Sequence, residues 1–557
     1  MSSSIEFKLL APYNQGVALI GSFSNWEEIP MEQDQEGYYR TSVELQDGHY
    51  QYKFRVQPVN GTEEADKWVD VNDPYVTEID SKTGNGTINI KDGQRITDTY
   101  VWQHDDVPLP QNHELVIYEV LVSDFFRSEG GTHYRGQYRD VISKLDYLQE
   151  LGINAIELLP VNQAPGDYNW GYIPSYFFAP QTNYGTTKEL KHLIDECHAR
   201  GIRVILDQLY NHSSDESPLI HIDRNYWYYE NRHHPDANPN DHWGPEFNYD
   251  HYDENLDISP AWKFMQDVFR FWIQEYHIDG IRYDALKELD NNDLLYWMTE
   301  ESRRLVEFKP FYNIAERIPE DPDILSPNGP MDGCWHENFY YQIVPHLLGK
   351  KFEMEEIKKA LDPTHQGYPK GLDKAVIYTC NHDQKRLMLD LGEHKILDDA
   401  AFGRAKLGAV LLMTAVGVPL IWMGEEFGGS NDINTSEKNQ QLNWSLLKND
   451  RNSSLLGFYK GLISLRKSNP ALKTDNITFF HENLHDKVFA YVRWNDEGSR
   501  VIVVANFSDQ AFFGYEISGI PEDGTWHEWT RDYDIEAENK QLIIDIGEYE
   551  AQVFVWG

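Results

Sequence analysis

Three acidic residues, Asp284 in GIRYDAL, Glu316 in NIAERI and Asp383 in TCNHDQ, each stand just beyond a short apolar run that reads as a buried strand. Parallel strands covered on both faces show as such continuous runs, and in a closed (β/α)8 barrel the residues just past their C-terminal ends gather at one mouth. Carboxyl groups from three different strands therefore converge. One ionised carboxylate beside one protonated carboxylic acid equips a chain for nucleophilic or general acid/base work. Arg282 lies two residues before Asp284, on the same side of the strand because side chains alternate with period two, and its permanent charge is expected to hold Asp284 ionised. Crowding by two other carboxylates is expected to raise the pKa of Glu316, which suits an acid working near neutrality. Taken singly, each acid reads as a solvated surface carboxylate, the default in a chain with 91 Asp and Glu. Only the recurrence of position and context favours chemistry.

The strands needed to position these groups are present. LVIYEV from Leu115, NAIELLP from Asn154, IRVILD from Ile202, GCWHE from Gly333 and VPLIWMGEE from Val418 join the three already named to make eight. Amphipathic stretches separate most of them, such as TKELKHLIDECHARG from Thr187 to Gly201, whose apolar positions fall on one helical face and whose glycine ends the helix. The gap from Asp207 to Gly280 is too long for one loop and one helix. Its polar, aromatic and Pro/Asn-rich composition predicts an excursion over the mouth, at about 209–260. The run LGAVLLMTAVGVPLIWMG from Leu407 to Gly424 is long enough to span a bilayer, but Pro419 interrupts it, and it reads as a buried helix followed by the eighth strand.

Outside this region the pattern changes to period two. VALIGSF, YYRTSVEL and YQYKFRV, separated by turn clusters such as QDGH, predict an antiparallel β-sandwich over about 1–105. KVFAYVRW, SRVIVVANFS, QLIIDI and AQVFVWG predict a second antiparallel β-domain over about 473–557, which leaves about 106–472 for the barrel. The fold class is multidomain: a central (β/α)8 barrel with an insertion after its third strand, flanked by two antiparallel β-sandwich domains.

Composition narrows the partners. With 49 Lys and Arg against 91 Asp and Glu, the net charge is −42, which repels nucleic acid and anionic membranes. A neutral ligand is unaffected. Three cysteines, Cys197, Cys334 and Cys380, are sparse, odd in number and without motif spacing, as in a reducing compartment. The opening MSSSIEFKLLAPYNQG lacks a charged segment followed by an apolar core, so no signal peptide is visible and the cytoplasm is the expected location. His233 and His234 have no Cys or carboxylate at ligand spacing, which argues against zinc.

The segment from about Val116 to Glu426 resembles the α-amylase family, glycoside hydrolase family 13, through four motifs in order: DQLYNH (Asp207, Asn211, His212), GIRYDA (Arg282, Asp284), AER (Glu316) and NHD (Asn381, His382, Asp383). The resemblance implies that Asp284 is a nucleophile, Glu316 the general acid/base and Asp383 the residue that holds sugar hydroxyls and distorts the ring. By the same resemblance Asp207 belongs to the substrate site, while Arg282, His212 and His382 orient the nucleophile and grip the same sugar. A retaining glycosidase needs two such carboxyls about 5 to 5.5 Å apart. Tyr172, in WGYIPSYFFAPQTNYGT, resembles the ring on which the sugar at the cleavage point stacks; a packed loop aromatic is the plainer reading. Trp243 and Gly244 resemble the stretch before the fourth strand of branching enzymes and trehalose-releasing hydrolases. Asn211 resembles a calcium-binding position, although the EF-hand pattern is absent; no cofactor is required, and calcium is the one metal the resemblance allows for.

GSFSNWEEIP, GHYQYKF and KWVDVNDPY resemble the starch- and glycogen-binding modules that precede many such barrels, which implies that Trp26, Lys53 and Trp68 contact sugar. The segment from Gln57 to Asp66 lengthens the intervening hairpin and stands to displace Trp68, which leaves open a purely supporting role. The shared chemistry makes a glucosyl-enzyme, and the acceptor decides the outcome. Cleavage of α-1,4 linkages in starch, glycogen or maltooligosaccharides leads; a glucan branching enzyme or a trehalose-releasing hydrolase follows. An inactive glucan-binding barrel, akin to amino-acid-transporter-like relatives, is the alternative from another class. Oligomeric state is not legible.

Overall fold

Eight short apolar runs close into a barrel of parallel strands: Ile117–Val120, Ala155–Leu158, Arg203–Gln208, Gly280–Tyr283, Tyr312–Ala315, Gly333–His336, Ala375–Ile377 and Val418–Trp422, with the last pairing to the first. The computed structural model describes residues 2–57, 67–128, 135–166, 170–231, 243–431 and 441–556. Alternate residues point inward, and Leu115, Ile117, Ala155, Ile205, Ile314, Val376, Val418 and Leu420 fill the interior as one apolar cluster. Each Leu, Ile or Val among them contributes about 1.5 to 3 kcal/mol on full burial, which makes this plug the rigid floor of whatever stands above it.

Helices cover the outside of the barrel. The helix Thr187–Ala199 begins with a capping box, in which Thr186 Oγ1 accepts from the Glu189 N–H (3.2 Å) and Glu189 Oε2 accepts from the Thr186 N–H (2.8 Å). Gly201 follows it at φ +68°, the left-handed turn that releases the chain into the third strand. The long apolar run resolves into the C-terminal half of the helix Asp398–Thr414, buried from Leu407 to Thr414, and the buried strand Val418–Trp422. Among the described residues no helix is long and apolar enough to cross a membrane. Cys197, Cys334 and Cys380 are all buried and unbridged.

The N-terminal module is a sandwich of two antiparallel sheets, one built on Ser3–Leu10 and Tyr38–Leu45, the other on Gly16–Gly21, Gly48–Gln57 and Gly86–Lys91. Its core of Phe7, Leu9, Leu19, Tyr52, Phe54 and Val56 includes one outsider, Ile222, from the helix Pro218–Trp227 of the insertion after the third barrel strand. Tyr13 also donates to both carboxylate oxygens of Asp253 (3.0 Å each), and Asn14 Nδ2 donates to the Ile222 carbonyl (2.7 Å). The excursion over the mouth is thus anchored on its far side by the module. At the other end a six-stranded and a two-stranded sheet form the C-terminal domain, which is fastened to the barrel by Arg493 Nη1 donating to the Ala415 carbonyl (2.8 Å).

Candidate active site

Above the apolar plug the inward positions turn ionisable. Two residues beyond Ile117 stands Glu119, two beyond Ala155 stands Glu157, two beyond Ile205 stands Asp207, and Arg282 occupies the fourth strand; all four are fully buried. Placing a guanidinium there costs several kcal/mol in lost hydration unless partners surround it. Arg282 has three. Its Nη1 donates to Asp207 Oδ1 and Oδ2 (2.9 Å each) and to Asp284 Oδ1 (2.6 Å), while Nη2 lies 3.1 Å from Glu316 Oε2. The Trp335 ring packs against the guanidinium, 4.3 Å from its centroid.

Backbone geometry fixes the two carboxyls at the strand ends. Ala285 follows Asp284 in the left-handed region at φ +52°, a strained position for a side chain with a Cβ. That turn aims the Ala285 N–H at Glu316 Oε2 (2.9 Å), while the Leu286 N–H reaches the Glu316 carbonyl (3.0 Å). Asp383 lies in a turn held by Asn381, whose Oδ1 accepts from the N–H groups of Asp383 and Gln384 (3.0 Å each).

The electrostatics differ in one respect from the sequence expectation. Burial pushes Asp284 up to about 6, against the opposing pull of Arg282, so the arginine moderates its pKa without holding it in the ordinary carboxylate range. Burial also raises Glu316 to about 7; Arg282 opposes, and the charges of Asp284 and Asp383 add to the rise. The order of the two survives, with Asp284 the more acidic. Burial raises Asp207 while the charge of Arg282 draws it back.

Two histidines stand in opposite states. Burial lowers His212 to about 4, and its Nε2 lies 2.8 Å from the Tyr172 carbonyl, so it is a neutral donor. Burial would lower His382 too, but Asp383 and Glu119 outweigh it and carry it up to about 10. Tyr172 donates its hydroxyl to Asp207 Oδ2 (2.6 Å), sits 2.7 Å from His382 Nε2 and stacks its ring on that imidazole at 5.2 Å.

The cleft above these groups has a volume of about 470 Å³, the size of a small-molecule site. Tyr172, His212, Asp284, Glu316, His382 and Asp383 line it, with Trp243, Lys287, Glu288 and Ile318 at its sides. The structure therefore brings together Asp207, Tyr172, His212, Arg282, Asp284, Glu316, His382 and Asp383. Trp243, exposed and 5.8 Å from the His212 ring, comes from the insertion.

Other expected residues lie elsewhere. Asn211 is buried, its carbonyl accepting from the Phe247 N–H (2.9 Å), and among the described residues no group of three His, Cys, Asp or Glu could hold a metal ion. His233 and His234 lie outside the described residues. Trp26 and Trp68 are both exposed at the N-terminal module, and Trp68 packs over Gly16, at the opposite end of the Gly16–Gly21 strand from Ile20, the register partner of Lys53. Most of the segment after Gln57 is outside the described residues. Glu119 and Glu157 escaped the sequence reading. The available signal was an acidic residue at an inward position of an otherwise apolar run.

Comparison with known proteins agrees with this geometry. The model of the alpha amylase catalytic domain matches residues 119–321 and 342–451, carbohydrate-binding module 48 (isoamylase N-terminal domain) matches 1–76, and the alpha amylase C-terminal all-beta domain matches 480–556. Malto-oligosyltrehalose trehalohydrolase of Saccharolobus solfataricus is 28% identical over 523 residues, covering 83% of this chain and 85% of that protein. A 1,4-alpha-glucan branching enzyme of Nitrosomonas eutropha is 26% identical over 585 residues, covering 94% and 74%. The crystal structure of pullulanase type I from Bacillus subtilis complexed with maltose superposes with a TM-score of 0.82 at 22% identity, over 100% of this chain and 84% of that one.

Proposed function

This chain belongs to the α-amylase family and is an α-glucan-active enzyme, and from that premise we propose that it is a retaining hydrolase of α-1,4 linkages in starch, glycogen or maltooligosaccharides. Asp284 attacks the anomeric carbon as the glycosidic bond breaks, and Glu316 gives its proton to the leaving oxygen. Glu316, now a carboxylate, takes a proton from water, which displaces Asp284 and restores both groups. Asp383, His382 and His212 hold hydroxyls of the sugar at the cleavage point, and the ring of Tyr172 forms its platform.

The observation that carries this reading is the grip of one buried guanidinium on both carboxyls, Asp284 Oδ1 at 2.6 Å and Glu316 Oε2 at 3.1 Å. A shared guanidinium keeps the two carboxyls near each other, as the retaining spacing of about 5 to 5.5 Å requires. The raised Glu316 beside the more acidic Asp284 supports the same division of roles. Three buried, unbridged thiols support a cytoplasmic location.

The acceptor is tested by incubation with amylose. Reducing ends are expected to rise without new α-1,6 linkages. New branches at a constant number of reducing ends would replace hydrolysis by transfer, and cleavage confined to maltooligosyltrehalose would narrow the substrate to that of the trehalose-releasing relative. The N-terminal module is tested separately. If its two exposed indoles bind glucan, Trp26→Ala with Trp68→Ala weakens retention in glycogen gels by affinity electrophoresis, while cleavage of a short maltooligosaccharide stays within about twofold, because only a polymer reaches both places. Unchanged mobility would make the module a support alone.

A further inference from the structure

Beneath the cleft, behind His382, lies a carboxylate that the reaction above does not use. Glu119, on the first barrel strand and fully buried, lies with Oε1 2.6 Å from His382 Nδ1. On its other side His382 continues a directed chain. Asp207 is bound at both oxygens by Arg282 and so accepts only; Tyr172 therefore spends its single hydroxyl proton on Asp207 Oδ2 (2.6 Å). The Tyr172 oxygen then has only a lone pair to offer His382 Nε2 at 2.7 Å, which makes Nε2 a donor. With Glu119 accepting at Nδ1, both ring nitrogens carry hydrogen.

We propose that Glu119 is a positioning residue that takes the Nδ1–H of His382 and keeps the ring an imidazolium, so that its Nε2–H is always directed at Tyr172, Asp383 and the sugar hydroxyls beside them. Asp383 Oδ2 lies 3.3 Å from that same Nε2, so the positive ring also draws the third carboxylate to the cleft. The titratable groups facing the ring are Glu119, Glu157, Tyr172, Asp207, Arg282 and Asp383, from four strands and two loops. Glu157 is the register neighbour of Glu119 on the second strand, and no described residue donates to either of its oxygens. The two glutamates are buried side by side just above the apolar plug, where two anions would repel, and with His382 against Glu119 it is Glu157 that takes a proton. Glu157 is the protonated member, in keeping with its strong upward shift from burial.

The proposal rests on the glucan-hydrolase reading only for its kinetic arm. Full-length protein labelled with 15N-histidine is titrated from pH 5.5 to 8.5 by long-range 15N–1H spectroscopy, with His382→Gln used to assign the resonances. His382 is expected to stay doubly protonated throughout, and in Glu119→Gln to become neutral by pH 7.5. Glu157→Gln, an uncharged replacement for an already uncharged group, is expected to leave the His382 resonances in place. In kcat/KM for maltoheptaose, Glu119→Gln is expected to lose about tenfold at pH 7.5 but less than about threefold at pH 5.5, where the ring protonates unaided. A neutral His382 in the unaltered protein at pH 7 would overturn the proposal, as would an imidazolium that survives Glu119→Gln. Should Glu119→Gln fail to fold, Asp383→Asn is titrated in its place: an imidazolium that survives there is held by Glu119, and one that is lost overturns the proposal. The nitrogen shifts also hold their meaning if the protein cleaves no glucan, so the two readings fail separately.

Discussion

Asp284→Asn is expected to lower kcat/KM on amylose by about 10⁴-fold or more, equivalent to about 5.4 kcal/mol of lost transition-state stabilisation. An amide cannot take the anomeric carbon as an ester, and the two carboxyls that share Arg282 with Asp284 are taken: Asp207 is bound at both oxygens by Arg282, and Glu316 is committed to the leaving group. The fold should not suffer. Arg282 keeps Asp207 and Glu316, and removing a half-buried carboxylate whose pKa is already pushed up to about 6 relieves crowding. Steady-state rates and a thermal melt together make the test. A melt within a few degrees of the unaltered protein, combined with more than about one per cent residual turnover, would assign the nucleophile elsewhere.

Glu316→Gln carries the second large effect, and pH reveals it. Activity of the unaltered enzyme requires Asp284 ionised and Glu316 protonated. The pair sheds its first proton near about 6 and its second near about 7. Below the first value the nucleophile is protonated, above the second the acid is spent, so kcat/KM on amylose should trace a narrow bell. In Glu316→Gln the rate on amylose is expected to fall about 10³-fold. On an α-glucosyl fluoride, whose leaving group needs no proton, the first step should stay within about tenfold and its alkaline limb should vanish. Equal losses on both substrates, or a surviving alkaline limb, would remove Glu316 from the acid role.

Much of this was legible in the chain itself because the barrel advertises itself. Strands buried on both faces have to be apolar from end to end, so runs such as LVIYEV and VPLIWM stand out, and whatever follows them stands at the mouth. The eight strands and the convergence of Asp284, Glu316 and Asp383 follow from that rule. The charge balance did not. Arg282 beside Asp284 reads locally as a pair, whereas in space it serves three carboxyls, two of them on other strands, and burial decides the sign of the Asp284 shift. Glu119 and Glu157 were hidden by the same apolar runs that revealed the strands, since one acid among five apolar neighbours looks incidental until the register sets the two side by side. Contacts such as Tyr13 with Asp253, 240 residues apart, leave no trace in local pattern.

That last contact bears on how such proteins are assembled from parts. Ile222 belongs by sequence to the barrel's insertion and by packing to the core of the first sandwich, and Asn14 and Tyr13 fasten the same stretch from the other side. The module is therefore not portable. Cut away at its sequence boundary, it leaves a hole where Ile222 sat, and the barrel keeps an insertion whose outer wall has gone. The exchangeable unit is the sandwich together with the excursion that carries Trp243 to the cleft. A shuffling event that swapped only the first hundred residues would also disturb the mouth of the enzyme.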